Sequence, residues 1–149
     1  MTLKAHRLPA NYSKKLETLG DHIKNRRLAL GLFQRDVADE LGTDETTLFR
    51  WERDMAWPQI HYFPQILKFL GYDPFPPAVT LADKLRAVRR KFGFTQKAFA
   101  ERLGVDPVTL RKWEQRRARP NRGSLKIIKK AFVHTAIDGM DENHERRGV

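Results

Sequence analysis

Displaced by 62 positions, the chain matches itself. Residues 19–58 align with residues 81–120 without a gap, and 15 of the 40 pairs are identical. The identities are Leu19/Leu81, Asp21/Asp83, Arg27/Arg89, Gly31/Gly93, Gln34/Gln96, Ala38/Ala100, Leu41/Leu103, Gly42/Gly104, Asp44/Asp106, Thr47/Thr109, Leu48/Leu110, Trp51/Trp113, Glu52/Glu114, Ala56/Ala118 and Pro58/Pro120. Ile23/Leu85, Val37/Phe99 and Asp39/Glu101 are conservative pairs. Such a repeat means one supersecondary unit used twice, so the fold must be one that about 60 residues can complete, near the lower limit for an independent core.

The junction falls at Asp73-Pro74-Phe75-Pro76-Pro77. Its prolines remove backbone donors and favour extended backbone, so helices end before them. The organisation read from the chain is a first domain over 1–73, a stiff proline-rich linker over 74–80, a second domain over 81–133, and a polar, aperiodic tail over 134–149. Strand signals are nearly absent. Leu81, Leu85, Val88 and Phe92 recur at helical spacing, as do Phe99 with Leu103 and Leu110 with Trp113. Thr95 is a natural N-cap for a helix starting at Gln96, and Asp106 caps a helix that begins with Pro107. A last helix over Ser124–Phe132 sets Leu125, Ile128 and Phe132 on one face; its partner in the first unit carries Phe63, Ile66 and Leu70. Each unit is expected to be four or five short helices around one small core, an all-α fold.

The spacing within each unit is specific. In the second, a helix over Gln96–Arg102 is followed by Leu103-Gly104-Val105 and a further helix over Asp106–Glu114. Gly104 permits the positive φ that a sharp turn between helices needs. Ala100, four residues earlier, lets the two backbones cross closely. The run Gly93-Phe94-Thr95-Gln96-Lys97-Ala98-Phe99-Ala100-Glu101-Arg102-Leu103-Gly104-Val105, followed by Thr109-Leu110-Arg111-Lys112-Trp113-Glu114, resembles the lambda-repressor-like (Cro-type, XRE) helix-turn-helix family. The first unit resembles it in the same register. The resemblance spans about residues 18–132, with motifs near 34–53 and 96–115.

That resemblance implies double-stranded DNA as the partner and transcriptional regulation, in a bacterium or phage, as the role. In the family the recognition helix lies in the major groove and reads bases from its N-terminal part. The matching positions are Pro107, Val108, Thr109, Arg111 and Lys112, with Gln96 and Lys97 opening the preceding helix toward the phosphates. Arg116, Arg117, Arg119 and Arg122 follow as backbone contacts. Pro107 departs from the family, which often places a polar base-reading side chain there. In the first unit the matching residues are Gln34, Arg35, Thr46, Thr47 and Arg50. The resemblance also implies two structural ion pairs, Arg27 with Glu52 and Arg89 with Glu114.

Charge separates the two copies. The chain carries a formal net charge of +11, which points to a polyanionic partner. Residues 1–75 hold 11 Lys and Arg against 10 Asp and Glu, a net +1; residues 76–149 hold 18 against 8, a net +10. The first unit opens its recognition helix with Asp44-Glu45, carries Phe33 where the second has Thr95, and continues with Asp54, Met55 and Trp57 where the second has Arg116, Arg117 and Arg119. The second unit is therefore expected to dominate DNA affinity. The first would be a weaker reader or a protein-contact module, through which a homodimer or another partner could form. Trp57 is expected to fold back over the helix at Tyr62–Phe63; the alternative is that Trp57, with Met55 nearby, forms an interaction patch. An antitoxin-like interaction protein retaining the fold is the alternative.

Other functions find little support. There are no cysteines, so neither a disulfide frame nor a thiolate metal site can form. His6, His22, His61, His134 and His144 show no ligand spacing, and neither Asp39-Glu40 nor Asp141-Glu142 converges on a metal. No phosphate-cradling glycine loop or nucleophile elbow occurs, so no enzyme, cofactor or metal is expected. No apolar run approaches the roughly 20 residues of a membrane span, and the N-terminus lacks a signal-type apolar stretch. A cytoplasmic, nucleoid-associated protein is the expectation.

Overall fold

The computed structural model describes residues 15–132. Every regular element among them is helical, as the periodicity predicts. These residues cluster into two compact bodies, 15–78 with 87–94 and 79–86 with 95–132, a division that cuts through the helix over 81–92 and so does not coincide with the two repeat units. No helix among the described residues is long and apolar enough to cross a membrane.

The first unit contains α1 (Leu19–Ala29), α2 (Gln34–Leu41), α3 (Glu45–Glu52), a 3-10 turn (Ile60–Tyr62) and α4 (Phe63–Leu70). Thr18 and Asp21 start α1 with a reciprocal capping box: the Asp21 N–H donates to the Thr18 hydroxyl oxygen at 3.1 Å, and the Thr18 N–H donates to the Asp21 carboxylate at 3.1 Å. Phe33, which offers no acceptor, precedes α2; the Asp36 carboxylate reaches back to the Phe33 N–H at 2.9 Å instead. Ile23, Val37, Ala38, Leu41, Leu48, Trp51, Phe63 and Ile66 form the buried centre. Burying each large side chain contributes about 1.5–3 kcal/mol, offset by the entropy of ordering it.

The second-unit copy of this plan is α5 (Leu81–Phe92), α6 (Gln96–Leu103), α7 (Pro107–Glu114) and α8, helical over 122–132. Thr95 accepts from the Ala98 N–H at 3.0 Å and Asp106 from the Val108 N–H at 2.7 Å, so both predicted caps act as such. Phe99, Ala100, Leu103, Leu110, Trp113 and Ile128 are buried. α8 begins two residues earlier than its apolar spacing indicates. The reason is Asn121, whose side-chain oxygen accepts from the Ser124 N–H at 2.8 Å and caps the helix at 122.

Two glycines differ in kind. Gly104 ends α6 in the left-handed region at φ 69°, with open space where a Cβ would sit. Gly20 lies on α1 where a Cβ would run into the Trp51 carbonyl oxygen, so α1 and α3 approach at backbone distance. At the equivalent place the second unit holds a buried alanine, Ala82. Gly104→Ala is expected to cost about 1 kcal/mol, the strain of the turn alone. Gly20→Ala should cost about 2–3 kcal/mol, because backbone must shift. Urea unfolding of the two variants checks this; equal losses would show that α1 and α3 separate easily.

Candidate nucleic-acid interface

The surface that α3 can offer is set by a charged side chain behind it. Glu52, the last residue of α3, is buried. Arg27 of α1 donates to it twice, Nε to Oε1 at 2.6 Å and Nη2 to Oε2 at 2.9 Å, and Nη1 donates to the Leu32 carbonyl at 3.1 Å. Gln34, at the start of α2, donates its amide to Oε2 at 2.9 Å. Three helices are thus fixed at one carboxylate. In the second unit Glu114 is likewise buried and accepts the Gln96 amide at 2.8 Å, while Arg89 donates to the Phe94 carbonyl at 3.2 Å. The glutamines therefore serve the fold first. A side-chain amide has two N–H donors, so one remains for an outside acceptor.

On α7, Val108 (46% exposed), Arg111 and Lys112 face solvent, with Pro107 and Thr109 half-buried beside them. Lys97 is exposed on α6. This face offers two cations, each able to donate to guanine O6 and N7, and an apolar branch that suits a thymine methyl. Pro107 sits at the first helical position, where its missing N–H leaves nothing unsatisfied.

The arginines after α7 are not equivalent. Arg117, Arg119 and Arg122 are exposed. Arg116, in the left-handed region at φ 59°, turns its Nη2 toward the start of α5, 3.3 Å from the Thr80 hydroxyl and 3.7 Å from Asp83. Arg86 donates to Asp83 at 2.9 Å and to the Glu114 carbonyl at 2.8 Å, closing the C-terminus of α7. The Thr80 N–H and hydroxyl, then Arg86, hold the Asp83 carboxyl down at about 2. Neither Arg86 nor the role of Arg116 was foreseen, although Thr80-x-x-Asp83 is a capping-box signature and Asp83/Arg86 have helical i,i+3 spacing.

The corresponding face of α3 is different. Glu45, Thr46 and Arg50 are exposed. Thr47 is tied to its cap, its N–H and hydroxyl donating to Asp44 at 2.8 and 2.7 Å, which lowers the Asp44 pKa. Phe49, 37% exposed, stands where α7 has Arg111, with the Arg53 guanidinium 4.9 Å from its ring centroid. Phe33 is 65% exposed, and the guanidinium of Arg35, itself exposed, lies 5.1 Å from its ring centroid. Trp57 packs its ring 6.1 Å from Phe63, yet stays 62% exposed. Among the described residues no three His, Asp or Glu stand together as a metal site.

A family model described as "Helix-turn-helix" matches the chain twice, over residues 23–75 and 85–132. No curated protein and no solved structure matches it.

Two outcomes follow from the geometry. Glu52→Ala strands a buried guanidinium and should destabilise the chain by about 3–5 kcal/mol in chemical unfolding, with Arg27→Met in the same chain recovering part of the loss. Asp83 acts in the opposite pH direction to a buried base. Its folded pKa lies below the ordinary 3.8, so its contribution is complete above that value and fades as pH falls toward about 2. Asp83→Asn should therefore be less stable than the parent near neutral pH, with the gap closing in acid; a gap independent of pH would assign the loss to packing.

Proposed function

The chain belongs to the lambda-repressor-like helix-turn-helix family, a DNA-binding family, in two tandem copies, and we infer from this that it is a transcriptional regulator whose second unit supplies most of a sequence-specific grip on double-stranded DNA. The observation that carries the inference is the outward face of α7, where exposed Arg111, Lys112 and Val108 stand together on a helix locked from behind through Glu114. On this reading Arg111 and Lys112 read bases, while Lys97, Arg117, Arg119 and Arg122 engage phosphates. Gln96 lends its remaining N–H to the backbone. Arg116 acts mainly by holding the start of α5. An Arg89–Glu114 pair would repeat the Arg27–Glu52 lock. The work place would be the nucleoid, in the cytoplasm.

The first unit supports a second role beside a weaker DNA contact. Glu45 and Asp44 would meet phosphate with the wrong sign, and Phe33 and Phe49 expose apolar surface where the other copy has Thr95 and Arg111. Such a face suits a protein partner, another copy of this chain included. Gln34, Arg35, Thr46 and Arg50 would then contribute little to DNA affinity.

Single substitutions in the full chain separate the roles. Arg111→Ala or Lys112→Ala should each cost about 1–3 kcal/mol on the preferred sequence and relax its choice of base. Arg117→Ala with Arg119→Ala should weaken binding on every sequence and lower the salt slope by about 2. Arg50→Ala should change neither much. Fluorescence anisotropy with labelled duplexes over a salt series reads all three; equal losses from Arg50→Ala and Lys112→Ala would refute the dominance of the second unit.

A further inference from the structure

One surface of the repeat has opposite chemistry in its two copies. Where the second unit carries Arg116, Arg117 and Arg119, the first carries Asp54, Met55 and Trp57; Glu17 and His22 stand where the second unit has Val79 and Lys84. The caps beneath are unchanged, since Thr18 and Thr80 both start their helices and each is bonded by the residue at the equivalent position, Asp54 or Arg116. A cationic edge has been exchanged for aromatic and carboxylate groups on an otherwise retained frame.

In the first unit this exchange borders a cavity of about 500 Å³. Its walls are the start of α1, the loop after α3 and the proline segment at Pro74–Pro76. The volume is in the range of small-molecule sites, about 300–1,000 Å³. Trp57 and Phe75 meet there edge to face, ring centroids 6.2 Å apart. Glu17 and Asp54 are among the lining residues and bring two carboxylates to the site. Asp54 is held in position at φ 57° by the Thr18 hydroxyl, which donates to it at 3.0 Å. One ring of the cluster already holds a cation: the Arg90 guanidinium lies 4.0 Å from the Phe75 centroid.

We propose that this cavity binds a small organic cation with a flat apolar body, an aromatic amine or amidine in class. Trp57 supplies an apolar face and a quadrupole that attracts cations, while Phe75, whose own face is taken by Arg90, walls the cavity. The carboxylates select positive charge and reject anions. The cationic counterpart surface of the second unit would reject the same ligand. The proposal is independent of the DNA reading, because the site is tested without DNA.

The test uses the intact ¹⁵N-labelled chain and three probes of one size: phenethylamine, the neutral 2-phenylethanol and the anion phenylacetate. The chain has three tryptophans, so indole N–H signals distinguish Trp57 from Trp51 and Trp113. Phenethylamine should shift the Trp57 signal saturably, and phenylacetate should bind about tenfold or more weakly. Trp57→Ala should abolish the binding. Glu17→Gln, an exposed position, should lower the affinity for phenethylamine and leave 2-phenylethanol unaffected, which keeps the test decisive if Trp57→Ala fails to fold. Equal affinity for amine and carboxylate, or no saturable shift with the amine, would overturn the proposal.

Discussion

A bidentate bond from Arg27 to Glu52, closed by the Gln34 amide, joins α1, α2 and α3 at one buried carboxylate. Removing two charges from water is expensive, and the geometry offsets that cost only because the guanidinium fork, the carboxylate and the amide are matched donor to acceptor. The gain is positional. A helix of eight residues is marginal by itself, and its direction is set by what holds its two ends. Asp44 caps one end of α3 through Thr47, and the Arg27 cluster fixes the other. In the second unit Asp106 and Glu114 occupy the same two places on α7, with Gln96 on Glu114 and Arg86 on the final carbonyl. The outward face of each helix is thereby presented rigidly, whatever residues it carries.

That separation of frame from face explains how one repeat can hold two chemistries. Leu48/Leu110, Trp51/Trp113 and Glu52/Glu114 point inward and are identical, while Phe49/Arg111 and Trp57/Arg119 point outward and are not. Surface exchanges of this sort leave the core untouched and cost little stability. The excess positive charge accordingly gathers in one copy, and aromatic surface in the other. Electrostatic attraction to phosphate is long-ranged and additive, so on the proposed reading a net +10 against +1 would separate the affinities of the halves before any base is read.

The fold was legible because its evidence is redundant. Helical spacing, Thr95 and Asp106 as caps and Gly104 as a turn residue all indicate the same elements, and the repeat states each of them twice. What escaped were side chains whose partners are distant in sequence. Gln34 and Gln96 look like phosphate contacts by position, and only the fold shows their amides turned to Glu52 and Glu114, 18 residues away. Arg116 looks like one more arginine in a basic run until its reach to Thr80, 36 residues back, is seen. Asn121 does not stand out as a cap in the sequence because the apolar pattern of α8 begins after it. Thr18/Thr80 and Ile66/Ile128 lie just outside the aligned window, yet they are identical pairs as well, and they belong to the cap and core of each copy.

The central claim is that the face of α7 reads DNA sequence. Selection of bound duplexes from random DNA by the intact chain, run beside the Arg111→Ala/Lys112→Ala chain, tests it most directly. The account predicts one enriched motif for the parent and the loss or degeneration of that motif for the variant. An identical motif from both chains, or salt-sensitive binding with no motif from the parent, would contradict it.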